Sequence, residues 1–254
     1  MKKILIQIFM VGVLMAPQFA LAAGGGIEPE KHAVNLGEKT LQRGFKYFVN
    51  YCMGCHSASY SRYNRVAADL NLSDEQVLEN LVFTTDADGE QTKIGERMLT
   101  AMTTEYGKAI FGVAPPDLSL TARSRGADWI YTYLKSFYLD ESRPMGVNNL
   151  AFENVGMPHV LWPLQGWQKG NFHTVEDGKG TPKKVFDGFE TVSAGSLSAE
   201  EYDQVVADIT NFMVYLGEPA QAQRKSMGIK VMLFLFLFAG LAYLLNKEYW
   251  RDIH

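Results

Sequence analysis

The chain has 254 residues, 47% of them hydrophobic and 20% charged, which is ordinary globular composition and enough for one sizeable core or a core with insertions. The formal charge of −4 hides an asymmetry, since residues 23–220 hold 17 Lys+Arg against 26 Asp+Glu, or −9. Such a surface argues against a nucleic-acid partner and suits a basic protein.

Residues 1–22 open with Lys2 and Lys3, run apolar through Met15 apart from Gln7, and break at Pro17 before Ala20-Leu21-Ala22. This is the pattern of a secretory signal cut after Ala22, because the apolar run is short for a retained membrane span. The mature chain is then expected outside the cytoplasm.

Residues 36–51 read as a helix, with Leu41, Phe45, Phe48 and Cys52 at three- and four-residue steps on one face. Gly44 beside Phe45 lets a second helix cross closely. The only cysteines follow, in Cys52-Met53-Gly54-Cys55-His56. An exported chain with two cysteines invites a disulfide, yet two intervening residues make a strained, redox-active one that has no use for the histidine. Zinc would need further close ligands, and no second Cys or His pair exists. The pattern is instead that of c-type haem attachment. Two thiols on one helical turn reach two vinyl groups along one porphyrin edge, and the adjacent imidazole turns under the ring to bind iron.

Residues 73–82 read as a short helix with Ser73 as N-cap and Asp74 and Glu75 in its first turn. Residues 86–91 are a polar turn, and residues 127–137 an aromatic-rich helix. Residues 169–184 are polar and Gly-rich, a surface loop or hairpin with no evident chemistry. Residues 200–216 carry an apolar stripe of Tyr202, Val205, Val206, Ile209, Phe212, Met213 and Leu216. Ser198 with Glu201 starts this helix as a capping box, and Gly217 with Pro219 ends it. It is the natural partner of the first helix.

Residues 231–245 contain no charge, and 227–229 extend the run. Lys230 can snorkel to headgroups, and Tyr249 with Trp250 suit an interfacial belt. A helix apolar on every face fits a tail anchor better than a core helix. The expected organisation is therefore a signal over 1–22, an exported haem domain over 23–226, an anchor over 227–246 and a cytoplasmic tail over 247–254.

A haem can close its sixth iron position with a second protein ligand. His254 lies beyond the anchor and His32 before the first helix, while Met98, Met102 and Met213 sit in helical patterns that suggest packing. Met157, in Gly156-Met157-Pro158, is favoured because the glycine allows close approach and the proline stiffens the loop. Met145 and His159 remain open as alternatives.

From about Leu36 to the C-terminus the chain resembles cytochrome c1, the haem subunit of the quinol–cytochrome c oxidoreductase (bc1) complex. The likeness rests on Arg43-Gly44-Phe45 before the haem motif, Pro115-Pro116-Asp117-Leu118-Ser119, and Ala122-Arg123-Ser124-Arg125-Gly126. It continues through residues 131–138, Arg143-Pro144, Gly156-Met157-Pro158, Glu218-Pro219, and Arg224-Lys225-Ser226-Met227-Gly228 ahead of the anchor. The turn at 86–91 looks like an insertion.

The resemblance implies a mostly α, cytochrome c-like haem domain with loop insertions and one C-terminal transmembrane helix. It implies one covalent haem c on Cys52 and Cys55, with His56 and Met157 as iron ligands. Pro116 would lie against the histidine side of the haem, and Arg123 would pair with a propionate, which suits its fork geometry. It further implies cytochrome b and Rieske iron–sulfur subunits as partners in a dimeric complex, and a cytochrome c as acceptor. The haem domain would face the periplasm from the inner membrane, and the subunit would do no bond chemistry alone. A membrane-anchored mono-haem cytochrome feeding a terminal oxidase shares the motif and anchor but is not expected to carry the 115–126 segment. A haem peroxidase would need an open or displaceable sixth ligand.

Overall fold

The computed structural model describes residues 27–86, 88–176 and 182–251; the expected signal segment lies outside them. Helix α1 (Glu38–Tyr51) forms where the apolar three–four spacing begins, and buries Leu41, Phe45, Phe48 and Val49. Helix α8 (Ala199–Gly217) lies across it. The Ser198 hydroxyl accepts from the Glu201 amide while the Glu201 side chain returns to the Ser198 amide, a closed capping box. At the crossing a Cβ on Gly44 would stand 2.2 Å from the Asp208 carbonyl oxygen and 2.7 Å from Phe212 Cβ, so only glycine fits.

The rest of the Arg43-Gly44-Phe45 triplet is used at the same crossing. Phe45 and Phe48 pack on Phe212 at 5.2 and 5.3 Å between centroids. Arg43 grips the buried Asp208 with two bonds of 2.6 and 2.9 Å, and Gln204 adds a third at 2.9 Å. A buried carboxylate needs such partners to be tolerated.

After the motif come β1 (Ala58–Arg62), α2 (Tyr63–Asp69) and α3 (Asp74–Leu81). Ser73 caps α3 as expected, with Gln76 closing the box. Strand β2 (Arg97–Met98) pairs antiparallel with β1. Next are α4 (Thr104–Phe111), α5 (Thr121–Arg125) and α6 (Ala127–Lys135). Helix α6 is two residues shorter than its aromatic pattern suggests, because Phe137 enters strand β3 (Phe137–Leu139), which pairs with β4 (Val147–Asn149). The Tyr202 hydroxyl donates to the Leu134 carbonyl at 2.9 Å and fastens α6 to α8.

A short α7 (Trp162–Gln165) leads into β5 (Gly166–Glu176), paired antiparallel with β6 (Pro182–Ala194). The polar stretch at 169–184 thus falls in the outer half of a hairpin, and residues 177–181 lie outside the described residues. "Mostly α" holds only roughly: nine helices cover about 47% of the described residues, beside three two-stranded sheets. The sheets escape a helical reading because their strands are short or, in β5 and β6, mainly exposed and polar. Helix α9 (Gln221–Tyr249), 29 residues long, follows, and its apolar side chains are exposed on all sides. One apolar helix of this length fits a single-pass membrane anchor.

Candidate haem site

Helix α1 ends at Tyr51, and the chain turns through Cys52–His56 in successive backbone bonds, Cys55 and His56 amides both donating to the Cys52 carbonyl. The Thr100 hydroxyl donates to the Gly54 carbonyl at 3.1 Å, and the Thr100 amide to Ser57 Oγ at 2.9 Å. Both thiols are free. Burial, and secondarily the neighbouring Cys55, pushes the Cys52 thiol up to about 12. A redox disulfide pair needs a lowered thiol pKa, so that reading loses its chemistry. No group of three or more His, Cys, Asp or Glu side chains that could hold a metal occurs among the described residues, which leaves zinc without a cage.

Beside the motif is a cleft open to solvent. Tyr51, Cys55, His56, Pro115 and Pro116 line it, with Phe111, Val113, Gly156, Met157, Pro158 and Val160. Its wall is almost wholly apolar. The imidazole Nδ1 of His56 lies 2.7 Å from the Pro116 carbonyl, which can only accept, so Nδ1 carries the proton and Nε2 keeps its lone pair. A metal-binding histidine is commonly oriented this way. Burial lowers the His56 pKa against the opposing pull of the Pro116 carbonyl and Asp117, which favours the neutral ring, the form able to bind a metal.

The Pro116 carbonyl is itself fixed from below. The Leu118 amide donates to the Ser57 carbonyl at 2.8 Å, and Asp117 accepts the amides of Ser59 and Ser119 at 2.9 and 2.8 Å. Burial works against the Asp117 charge, yet hydrogen bonds from Ser119 and Ser59 hold its carboxyl below the usual range. The segment after Pro116 is therefore stapled to the segment after His56.

Met157 sits on the other stretch lining the cleft. A Cβ on Gly156 would stand 2.9 Å from the Phe111 carbonyl oxygen, so the glycine allows the loop to close against the end of α4. The alternatives go elsewhere. Met145 packs with Phe137, Val147 and Val155, a cluster that Met157 also touches, but it does not line the cleft. His159 is buried, stacked on Phe137 at 5.0 Å, and is not part of the cleft wall. Met98 and Met213 belong to the main core.

The cleft thus brings together Cys55, His56, Pro116 and Met157, while Cys52 is buried in the main core and Arg123 stands apart. Arg123 is exposed, its stem beside Gly217, and its guanidinium makes no hydrogen bond or salt bridge among the described residues, although its charge acts on Glu218. Sequence reasoning missed two aromatic residues of α6. Trp129 Nε1 is buried without a partner among the described residues, and the Tyr133 hydroxyl donates to Met157 Sδ at 3.3 Å. Their ordinary helical spacing made them read as packing. A soft thioether, a neutral imidazole, two free thiols and an apolar wall fit a haem.

Comparison with known proteins agrees with this geometry. The Cytochrome C1 family profile matches residues 30–253. The chain belongs to the cytochrome c1 family. It is 48% identical to cytochrome c1 of Allochromatium vinosum over 100% of both chains. It is 45% identical to a Nitrosomonas europaea protein named ammonia monooxygenase gamma subunit, over 98% of this chain and 99% of that one. It is also 28% identical to the cytochrome b/c1 protein of Bradyrhizobium diazoefficiens, covering 84% of this chain and 33% of that longer protein. The chain is accordingly the electron-transfer haem subunit of a quinol–cytochrome c oxidoreductase.

Proposed function

We propose that Cys52 and Cys55 hold one haem c through thioethers, that His56 and Met157 bind its iron, and that the subunit relays single electrons from a Rieske-type iron–sulfur subunit to a cytochrome c. The haem, when bound, supplies one-electron cycling of iron. The chain's residues do the rest. The observation that carries the reading is His56, whose Nδ1 is committed to Pro116 while its ring lines the same cleft as Met157. The Pro116 carbonyl fixes the imidazole, the apolar wall excludes water, and the cleft mouth leaves one edge within reach of a partner. Arg123, whose guanidinium has no hydrogen bond or salt bridge among the described residues, is the propionate partner in this reading. The subunit sits in the inner membrane, its haem domain on the periplasmic side after removal of residues 1–22, and α9 crosses the bilayer beside cytochrome b of a dimeric complex.

The test is to purify the chain from its native membrane, extract with acid solvent, and identify what accompanies it. Haem that stays on the polypeptide, with cytochrome b and Rieske subunits co-purifying, is the expected result. Haem that extracts fully would remove the thioether assignment. Co-purification with a terminal oxidase, or with monooxygenase subunits as the Nitrosomonas relative's name suggests, would replace the partner assignment.

A further inference from the structure

Met157 Sδ has two lone pairs, and the structure accounts for one of them. The Tyr133 hydroxyl donates to it at 3.3 Å, and no other acceptor is within hydrogen-bond reach of that hydroxyl among the described residues. We infer that Tyr133 is a positioning residue for the axial thioether: it holds one sulfur lone pair, turns the other toward the iron, and raises the reduction potential of the haem. This rests on the reading of Met157 as ligand.

The tyrosine is placed firmly enough for that task. Its ring stacks on Trp129 at 5.0 Å and 15°, and Phe137 meets it edge-on at 5.1 Å. Trp129 is in turn covered by the Arg125 guanidinium at 5.0 Å. The Tyr133 backbone carbonyl accepts from Asn149 Nδ2 at 2.8 Å, which ties the end of α6 to β4. The hydroxyl therefore cannot follow the sulfur if the 156–158 loop moves. Ring packing alone would need only phenylalanine, so the oxygen is the feature to explain. A buried phenol takes a partner where one is available, and a thioether is a weak acceptor that would seldom be chosen over water.

The electronic consequence has a definite sign. A hydrogen bond draws density from the sulfur and makes it a poorer donor. The ferric ion depends on that donation more than the ferrous ion does, so the reduced state gains relative to the oxidised one.

The experiment compares full-length wild type, Tyr133→Phe, Tyr131→Phe and Met157→Leu in detergent. Tyr131 is the control, a hydroxyl on the same helix that accepts from Lys135. Readouts are the midpoint potential, the sulfur-to-iron charge-transfer absorption of the ferric form, and displacement of the ligand by imidazole. In Tyr133→Phe the potential should fall, the absorption should persist but shift, and imidazole should displace the ligand less readily, with Tyr131→Phe unchanged. A potential that rises, or imidazole that displaces the ligand more readily, would overturn the inference, because a hydroxyl that draws density from the sulfur predicts the opposite of both. An unchanged potential and absorption would also overturn it, leaving the ligand reading intact provided Met157→Leu loses the absorption. Retention of the absorption in Met157→Leu would sink the ligand reading and this inference together.

Discussion

Replacing Gly44 by alanine tests whether the α1–α8 crossing holds the haem domain together. The added methyl would lie 2.2 Å from the Asp208 carbonyl oxygen, 2.7 Å from Phe212 Cβ and 2.9 Å from the Asp208 carbonyl carbon. Two of those neighbours are backbone, so no rotamer change relieves them. Ordinary contact needs roughly 3.5 Å, and the helices must part by about 1 Å. That opens the Phe45 and Phe48 contacts with Phe212 and lengthens the Arg43–Asp208 bonds. Overpacking against backbone belongs at the upper end of its range, about 3 kcal/mol, and alanine's helix propensity returns about 1 kcal/mol. The net loss is about 2 kcal/mol, or a melting point lowered by about 4–8 °C for a domain of this size. Thermal unfolding of the detergent-solubilised full chain would measure it. Gly95→Ala, whose methyl meets nothing within 4 Å, is the control and should melt like wild type. A Gly44→Ala protein as stable as that control would refute the close-crossing argument.

Met157→Leu should leave the haem attached, lower its potential and admit carbon monoxide; if Met145→Leu does this instead, the wrong methionine has been assigned. Asp128 accepts the His32 amide at 2.9 Å and the Lys31 ammonium at 3.0 Å. The His32 bond foremost, with Lys31 behind it, holds its carboxyl below the usual range despite partial burial. A depressed folded pKa gives stability present above the unfolded value of about 3.9 and lost as pH falls through the folded one. Proteolytic protection of residues 27–36 should therefore decline below about pH 4 in wild type, whereas in Asp128→Asn it should be weaker at neutral pH and lack that acid step. Electron transfer to a basic cytochrome c should slow as salt rises, since the −9 of residues 23–220 acts over about 8–10 Å at ordinary ionic strength. A flat salt response would remove electrostatic docking without touching the haem assignment.

What could be read in advance was what local chemistry dictates. The haem motif, the Ser198–Glu201 box and the apolar stripes of α1 and α8 each lie within a few residues, and Gly44 announces a close crossing by lacking a side chain. The tertiary partners were out of reach. That His56 is oriented by a carbonyl sixty residues on, or Met157 by a hydroxyl two dozen residues back, depends on loops whose course no periodicity specifies. Arg123 and Pro116 were reachable only through resemblance. The β5–β6 hairpin was half legible, because its Gly-rich polar stretch lacks clean strand alternation and its apolar residues stay largely exposed.

The same contacts that stabilise the fold also limit how far His56 and Met157, the iron ligands proposed above, can move, and that matters for an electron carrier. A one-electron step is slowed by any rearrangement of the groups around the metal, so the residues supplying ligands should be restrained from more than one direction. His56 is restrained from one side by α1, whose packing on α8 fixes where the motif begins, and from the other by the Ser57–Leu118 and Ser59–Asp117 bonds that set Pro116. Met157 is restrained by the closure of Gly156 on Phe111 and by Tyr133 on α6, which Tyr202 fastens to that same α8. Helix α8 is therefore the common reference for both sides of the cleft. A change that shifts it should disturb His56 and Met157 together, whereas a change in the 156–158 loop should disturb Met157 alone.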